Sequence, residues 1–412
     1  MLSLSFLRSN LRWLGAGFLL TFASSFGQTY FISLFSGDLR AAFDLSHGGF
    51  GGLYTLATLA SAATLLWLGK LADSQPLARL SAATILGLAL TALAMAAVAS
   101  PVMLVLVLFG LRLFGQGMLS HLSFTAMGRW YNAQRGRAIA IAAMGFPAGE
   151  ALFPIVAVGL ALWIGWRETW VLAAGALLLV ALPLAYALLR RGRTPRHPAP
   201  AEGEADGRPP PRDWTRGEVL RDPLFYALLP GILAPAFILT GVFFHQVHLV
   251  ETKGWSLALF AAAYPGYSLA AVGASLAFGW AVDRWSAGRL LPAYLLPMAA
   301  GLFLLGVFDA PWVALAFMVL GGATAGAATT LIGALWAEIY GTRHLGAIRA
   351  LAVAAMVFAT GLAPGLMGGL LDLGIGLEAQ ILVMAAYTLA AAGLFLVLAH
   401  GTPRLAKAET GA

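Results

Sequence analysis

Long apolar runs alternate with short polar segments along the whole chain. Twelve of these runs have about the 20 residues that a helix needs to cross the hydrocarbon core of a bilayer. We predict membrane-spanning helices near residues 13–35, 50–69, 80–99, 102–128, 138–163, 168–189, 223–249, 256–282, 290–308, 311–337, 347–371 and 379–399. A membrane β-barrel would show short strands of alternating polarity instead. The pattern therefore predicts an all-α membrane protein.

Composition agrees with a bilayer environment. Hydrophobic residues make up 60% of the 412-residue chain and charged residues 10%, whereas soluble domains average about 45–50% and about 25%. A soluble fold must cover its apolar interior with polar surface, and a bilayer removes that requirement. The chain has no cysteine, which excludes disulfides and thiolate metal sites. We predict neither a metal site nor a cofactor.

Lysine and arginine are distributed unevenly between the predicted loops. If both termini are cytoplasmic, 21 of the 25 basic residues lie in cytoplasmic segments, three lie outside, and Arg112 lies within a span. Membrane proteins carry this excess on the cytoplasmic side. We therefore predict an integral protein of the plasma membrane, in bacteria the inner membrane, with both termini cytoplasmic. The first apolar run continues to Phe35, longer than the core of a cleaved signal peptide, so we expect it to be retained.

A polar segment rich in proline, glycine and charge occupies residues 190–222. Such a composition is not expected to pack a core. The segment divides the twelve spans into six and six. We predict an N-terminal six-helix bundle over 1–189, a cytoplasmic linker over 190–222 and a C-terminal six-helix bundle over 223–412.

Two loops, 210 positions apart, repeat the same residue types. Each loop follows the second span of its half, and because six is an even number both lie on the cytoplasmic side. The aspartates can pair with nearby arginines or lie at the N-terminus of a neighbouring helix. We predict that these charged residues form a gate with two alternative arrangements. The gate residues are Asp73 and Arg79 in the first loop, and Asp283, Arg284 and Arg289 in the second.

Twelve helices in two similarly oriented six-helix repeats, joined by a polar central loop, resemble the major facilitator superfamily. The repeated loops resemble its motif G-x-x-x-D-R-x-G-R, although Ser74 follows the first aspartate and the final arginine of each copy falls two places late. The resemblance implies secondary transport by alternating access, about a site near mid-membrane between the halves. It also implies that helices one, four, seven and ten line the transport path, and that the repeated loops stabilise the outward-open state.

Two charged residues lie deep within predicted spans. An arginine at the centre of a bilayer costs about 2.5–3.5 kcal/mol on insertion scales, so its surroundings must compensate it. Counted at the rise of a helix, Arg112 is ~15 Å from the outer end of its span and Glu150 ~20 Å from the inner end of the next. We therefore predict that the two are neighbours. Either Arg112 binds an anionic substrate and Glu150 carries a proton, or the two form a structural ion pair.

Polar stripes mark one face of two helices. In the fourth span Arg112, Gln116 and Ser120 recur at helical spacing, with His121 on the opposite side. In the first span Gln28 ends a stripe that begins at Thr21. A polar stripe in a membrane faces protein or a water-filled cavity. We predict that Gln28, Gln116 and Ser120 contact substrate beside Arg112.

The second half has no charge at the corresponding depth. His245 and His248 share a face, and we consider His245 as a proton or substrate site, with interface packing as the alternative. Tyr264 is a further candidate for a hydrogen bond to substrate. Glu338, near the cytoplasmic end of its span, is expected to pair with Arg343 or Arg349.

The basic loops at 129–140 and 338–351 are similar to those of the monocarboxylate and oxalate–formate branches. That resemblance favours a proton-coupled transporter of a small organic anion, a monocarboxylate, acting as a monomer among membrane lipids. Gly145, Phe146, Pro147 and Gly149 resemble helix five of drug–proton antiporters, which makes a proton-coupled exporter of amphipathic compounds the alternative. No nucleotide-binding loop or catalytic cluster is present in the sequence, so we predict neither an enzyme nor a nucleic-acid partner.

Overall fold

The described part of the chain, residues 4–131, 134–191 and 213–406 of a computed structural model, is built from helices and contains no strand. Eleven helices are long and apolar enough to cross a membrane, and a bent pair of helices near the N-terminus makes a twelfth span. The predicted number and order of spans are therefore confirmed. The chain forms two compact units, residues 1–203 and 204–412.

The first unit contains six spans. They are α1 (Arg8–Gly27, continued after a break as Thr29–Phe43), α2 (His47–Leu68), α3 (Leu77–Ala96), α4 (Pro101–Trp130), α5 (Gly136–Ile164) and α6 (Trp166–Leu189). A short helix, Leu71–Ser74, lies between α2 and α3. Helix α1 packs against α4, α5 and α6, so it lies at the centre of the packing in this unit.

Arginines at the ends of the first unit's helices bond the last carbonyls of neighbouring helices. The Arg12 guanidinium donates to the carbonyls of Leu188, at 2.9 Å, and Ala187 at the end of α6. The Arg167 guanidinium donates to the carbonyls of Ala96 and Val98 beyond α3. Carbonyls at a helix C-terminus have no partner within the helix, and a cation there also offsets the negative end of the helix dipole.

The second unit also contains six spans. They are α7 (Pro223–Phe244), α8 (Leu257–Trp285), α9 (Ala287–Val307), α10 (Trp312–Tyr340), α11 (Leu345–Asp372) and α12 (Leu377–Gly401). A short helix, Gln246–Lys253, follows α7. Helix α8 packs along α10, α9 against α10 and α12, and α7 against α11. A cluster of buried aromatic and aliphatic side chains from α7, α9, α10 and α12 fills one end of the unit.

The last residues of the predicted linker pack onto the second unit. They form a short helix, Arg216–Val219, which Thr215 and Glu218 cap reciprocally. Val219 is fully buried in the aromatic cluster, and the Asp213 carboxylate accepts the backbone N–H groups of Thr342 and Arg343. The expectation that residues 190–222 would not pack is therefore wrong for 213–222. Residues 192–212 lie outside the described residues.

An ion pair between Asp222 and Arg404 closes the same end of the second unit. Both terminal guanidinium nitrogens of Arg404 donate to the Asp222 carboxylate, at 2.7 and 3.0 Å, and the Tyr340 hydroxyl donates to it at 2.9 Å. Burial raises the pKa of Asp222, but these hydrogen bonds and one from the Leu224 amide outweigh it and hold that pKa below its ordinary value. The hydrogen bonds between Arg404 and Asp222 raise the pKa of Arg404.

A second charge cluster lies at the opposite ends of these helices. The buried Lys253 ammonium donates to Asp309, at 2.7 Å, and to Glu378, at 2.5 Å. These residues join the segment after α7, the α9–α10 loop and the first turn of α12. Burial lowers the pKa of Lys253, but the two carboxylates outweigh it and raise that pKa above its ordinary value. Two buried charges of the second unit, Asp222 and Lys253, are thus paired at the helix ends.

Candidate functional site

Helix α1 breaks in the middle of the first unit. Residues Ser24–Gly27 tighten into a 3₁₀ turn, Gln28 is extended with φ −81° and ψ 151°, and the helix resumes at Thr29 with a bend of 42°. A break of this kind leaves backbone carbonyls without partners inside the helix. In a membrane such groups must bond to protein or water.

The Arg112 guanidinium of α4 forms hydrogen bonds with polar groups at this break. One of its terminal nitrogens, Nη1, donates to the Gly27 carbonyl at 3.1 Å and to the Thr29 hydroxyl at 3.3 Å. The Tyr54 hydroxyl of α2 donates to the same Thr29 hydroxyl at 2.9 Å, and the Tyr54 ring centroid lies 5.3 Å from the guanidinium carbon. Arg112 therefore joins the two halves of α1 to α4 and α2.

Arg112 is a buried cation with neutral partners. Its residue is 3% exposed, and its Nε has no hydrogen-bond partner in the described part of the chain. It forms no ion pair with any described carboxylate. A buried charge that lacks a counter-ion is costly, and an anion brought next to it would be strongly attracted.

Glycines allow the break to pack closely against two other helices. A Cβ atom at Gly27 would overlap the Leu111 carbonyl oxygen, and one at Gly115 of α4 would lie 2.6 Å from the Gly27 Cα. A Cβ atom at Gly149 of α5 would overlap the Ser25 hydroxyl oxygen. Close backbone approach through small residues is typical of packing between membrane helices. The break in α1 is therefore held between α4 and α5.

Glu150 lies on the α5 side of this break. It is half-buried and interacts electrostatically with Tyr30, but it forms no hydrogen bond or ion pair within the described residues. The alternative of a structural ion pair between Arg112 and Glu150 is therefore not observed in the described chain, and their proximity stays a prediction. Residue counting placed the two at a similar depth, but it could not show that Arg112 reaches the break from α4 while Glu150 faces it from α5.

The other residues predicted beside Arg112 surround the break to different degrees. Gln28 is half-buried, and its amide nitrogen makes one long contact, 3.5 Å, with the Ser24 hydroxyl. Gln116 is half-buried, and the Ser120 hydroxyl is buried with no hydrogen-bond partner in the described chain. His121 instead contacts the Gly69 carbonyl oxygen at 3.0 Å, at the end of α2.

Part of α4 is not a regular α-helix. Residues Leu111–Leu119 form a π-helical stretch, which includes Arg112 and Gln116. Such stretches have wider i→i+5 hydrogen bonding and occur often at functional sites. The prediction of a polar stripe assumed 100° per residue, and that value does not hold across this stretch.

Two of the residues predicted as site residues in the second unit, Tyr264 and His245, are buried. The Tyr264 hydroxyl of α8 donates to the Gln246 side-chain oxygen at 3.0 Å, and both residues are fully buried. His245 is 3% exposed, and its Nε2 lies 3.3 Å from the Pro364 carbonyl oxygen of α11. Among the residues predicted here, Tyr264 thus bonds to Gln246, which the sequence analysis did not select, and His245 contacts α11. In the described chain no cluster of three or more potential ligands could hold a metal ion.

Comparison with known proteins identifies the family. The sequence model of the Major Facilitator Superfamily matches residues 17–272 and 236–412. This chain belongs to the Major Facilitator Superfamily. The earlier resemblance is confirmed, and the chain is an integral membrane transporter of that superfamily. A search of curated proteins found no significant match.

Solved structures of superfamily transporters have the same fold. A bacterial homologue of the human lysosomal transporter Spinster, inward-facing and occupied, is 17% identical with a TM-score of 0.72, over 98% of this chain and 99% of that one. Its unoccupied form is 15% identical with a TM-score of 0.70, over 97% and 98%. The nucleoside transporter NupG, as its D323A mutant, is 13% identical with a TM-score of 0.70, over 94% and 99%. At these identities the likeness concerns the fold.

The repeated superfamily loops differ between the two units. Arg79 of the first loop is exposed, and the Asp73 side chain lies outside the described residues. In the second loop Asp283 is exposed and forms no ion pair within the described chain. Arg284 is also exposed and lies 5.9 Å from the ring centroids of Trp280 and Trp285. Arg289, the third predicted gate residue of this loop, is exposed on α9.

A different carboxylate occupies the helix N-terminus after the second loop. Both oxygens of Glu338, at the end of α10, accept the Ala287 N–H that opens α9, at 3.0 and 2.9 Å. The expected pairing of Glu338 with Arg343 or Arg349 is therefore wrong. Free N–H groups and the positive end of the dipole make the start of a helix a favourable position for a carboxylate.

Proposed function

We propose that this superfamily member is a secondary active transporter of a small organic anion, a monocarboxylate, with Arg112 as the anion site and Glu150 as the proton site. The observation that carries the proposal is a buried guanidinium whose described partners are neutral. Charges are placed within membranes at a high cost, and they mark substrate or ion pathways.

The bonding of Arg112 leaves it able to bind a carboxylate. Nη1 is occupied by Gly27 and Thr29, while Nε has no described partner. A carboxylate can accept two parallel hydrogen bonds from Nε and the other terminal nitrogen. Arg112 is 3% exposed in this conformation, so the proposal requires a second conformation in which water and substrate reach it. Alternating access supplies such a conformation.

Glu150 is proposed to carry the proton because it faces the same break without a cation. A carboxylate with no cationic partner within a membrane is favoured in its neutral form, and it takes up a proton when it is exposed to water. Movement of α1 relative to α5 would expose it. Because Gly149 brings α5 next to Ser25, such a movement is coupled to the segment that holds Arg112.

The proposal also includes the orientation of the chain in the membrane and the gate residues. The excess of basic residues in alternate loops supports cytoplasmic termini in a plasma membrane, the inner membrane in bacteria. Asp73, Arg79, Asp283, Arg284 and Arg289 are proposed as gate residues because two equivalent loops carry them. We expect Asp73→Ala to shift the ratio of inward- to outward-facing molecules. Distance probes on both faces that report an unchanged ratio would exclude this gate.

One observation favours a second candidate, a proton-coupled exporter of amphipathic compounds. Helix α5 packs tightly on α1 through Gly145 and Gly149, where a Cβ atom would overlap Thr21 and Ser25. Such glycine packing agrees with the resemblance of this segment to drug–proton antiporters. In this alternative, proton uptake and release by Glu150 are coupled to the export of a drug. Arg112 then has a structural role, because it joins the two parts of α1.

Flux into proteoliposomes under an imposed pH gradient distinguishes the two candidates. A panel of monocarboxylates and a panel of cationic drugs are tested on the same preparation. We expect proton-driven carboxylate uptake, and we expect Arg112→Gln to raise its KM strongly. Drug-driven proton movement with no response to any carboxylate would overturn the anion proposal and support the exporter.

A further inference from the structure

An apolar groove of about 740 Å³ runs along the second unit between α7, α11 and α12. Several residues of its rim are exposed, among them Tyr226, Leu366 and Val383 at 52%, 56% and 69%. Because these residues belong to membrane-spanning helices, the molecules that meet an apolar rim there are hydrocarbon chains. The volume is in the range of sites that enclose a small molecule.

Prolines lie within two of the helices that form the groove. Pro230 and Pro235 interrupt α7, and Pro364 interrupts α11. A proline inside a helix removes a backbone hydrogen bond and bends the helix. The Tyr387 hydroxyl of α12 donates to the Pro230 carbonyl at 3.0 Å, which bridges α12 to α7. This hydrogen bond joins two walls of the groove.

The three walls together reach from the first turn of α7 to the α11–α12 loop. The groove is lined by α7 between residues 226 and 238, by α11 between 359 and 370, and by α12 between 379 and 387. At about 1.5 Å per residue these stretches measure roughly 12–18 Å. Half of the hydrocarbon core is about 15 Å. The walls on α11 and α12 therefore match the length of a lipid chain in the leaflet nearest the α11–α12 loop, and the α7 wall continues towards the opposite leaflet.

An amide side chain, that of Gln380, lines this groove, and its hydrogen bonding is incomplete. Gln380, in the first turn of α12, is 4% exposed. Its amide nitrogen donates to the carbonyls of Ile375, at 2.8 Å, and Met367, at 3.3 Å. Because carbonyl oxygens only accept, the amide cannot be turned the other way. Its oxygen, Oε1, is left with no donor in the described part of the chain. A buried acceptor without a partner is rare and calls for a ligand or water.

We propose that the groove holds one acyl chain of a membrane phospholipid whose headgroup donates a hydrogen bond to Oε1 of Gln380. The position of Gln380 near the end of α12 matches the depth at which headgroups lie. Ethanolamine headgroups carry N–H donors, whereas choline headgroups carry none. This lipid site is separate from Arg112 and Glu150 in the first unit, so it does not depend on the transported substrate.

Lipid binding to the full-length transporter tests the headgroup contact. The protein is delipidated in detergent and titrated with phosphatidylethanolamine or phosphatidylcholine of identical acyl chains, and bound lipid is counted by native mass spectrometry. We expect ethanolamine lipid to bind the unchanged protein about threefold to tenfold more tightly, as one hydrogen bond allows. Gln380→Leu should remove this preference and retain binding of both lipids. Equal binding of the two lipids to the unchanged protein would overturn the headgroup contact.

Filling the groove with a bulky side chain tests whether an acyl chain occupies it. Val383→Trp places an indole at the rim, and Leu389→Trp, at an exposed α12 position that does not line the groove, is the matched control. We expect Val383→Trp to weaken ethanolamine lipid at least tenfold and Leu389→Trp to leave it unchanged. Retained lipid in Val383→Trp, or a protein dimer that this variant dissociates without loss of lipid, would overturn the proposal. If Val383→Trp does not fold, the comparison of lipids on the unchanged protein and on Gln380→Leu decides.

Discussion

The two units are both six-helix bundles, but their charged residues differ in depth and in pairing. In the first unit Arg112 and Glu150 lie deep within spans, and neither forms an ion pair in the described chain. In the second unit the charged residues of the spans lie near the helix ends, where Asp222 bonds to Arg404 and Lys253 to two carboxylates. Its buried interior holds the neutral pair Tyr264 and Gln246. One unit therefore carries groups suited to ion chemistry, and the other provides neutral contacts.

The largest expected effect on transport follows from removing the charge of Arg112. Arg112→Gln keeps a hydrogen-bonding side chain and removes the charge. A hydrogen bond to a charged group contributes about 1.5–3 kcal/mol, so we expect the KM for a monocarboxylate to rise about 10- to 100-fold. Initial uptake rates in proteoliposomes measure this change. Arg349→Gln, which removes an exposed arginine of α11, is the control and should change uptake by less than about twofold. Equal losses in both variants would remove the distinction between the units.

The deep carboxylate should determine coupling to protons. A gradient of one pH unit supports about tenfold accumulation for each coupled proton. We expect Glu150→Gln to abolish this accumulation while exchange at equal pH continues, because the neutral amide can no longer gain or lose a proton. Glu168→Gln, at an exposed position in the first turn of α6, should keep full accumulation. Accumulation that survives Glu150→Gln would assign the proton to another group.

In the second unit, removing a paired charge should affect stability more than transport. Asp222→Asn weakens its bonds to Arg404, whose side chain is 36% exposed, so we expect a loss of about 1–2 kcal/mol. A melting temperature lower by several degrees would report it. Since the pKa of Asp222 is lowered in the folded protein, its stabilisation is complete above the unfolded value of about 3.9 and is lost as pH falls through the folded value.

The difference in melting temperature between Asp222→Asn and the unchanged protein should therefore be constant near neutral pH and shrink in acid. Asp283→Asn, at an exposed aspartate with no described ion pair, is the control and should melt like the unchanged protein. A difference in melting temperature that grows in acid would contradict stabilisation by the charged form of Asp222.

The smallest expected effect concerns the neutral pair. Tyr264→Phe removes the hydrogen bond to Gln246, and one neutral bond allows a change in KM of about two- to tenfold. We expect the dependence on the pH gradient to be unchanged. Tyr226→Phe, which removes an exposed hydroxyl bonded to the Leu220 carbonyl, should leave KM unchanged. A loss of proton coupling in Tyr264→Phe would show that the second unit takes part in ion chemistry.

The recurrence of residue types 210 positions apart predicted the repeat. The pattern of apolar runs predicted the spans, because these depend on residue counts along a helix. It did not predict which side chains meet. The bend at Gln28 and the π-helical stretch around Arg112 change the direction of side chains, and no run of apolar residues marks either one. Thr29 and Tyr54, the partners of Arg112, are ordinary residues in apolar sequence. Gly27 and Gly149 indicate close helix packing, because such packing needs small residues. Their contact partners lie on other helices, and the sequence does not show which.

Access to the α1 break is the most direct test of the anion site. The chain has no native cysteine, so Gln28→Cys gives a single thiol at a half-buried position beside the residues that bind Arg112. A charged, membrane-impermeant thiol reagent is applied from each side of the membrane under opposite pH gradients. We expect modification from both sides, slowed by a transported monocarboxylate, with this protection absent when Arg112→Gln is also present. A thiol that no reagent reaches from either side under either gradient would contradict the account, because no anion could then reach Arg112.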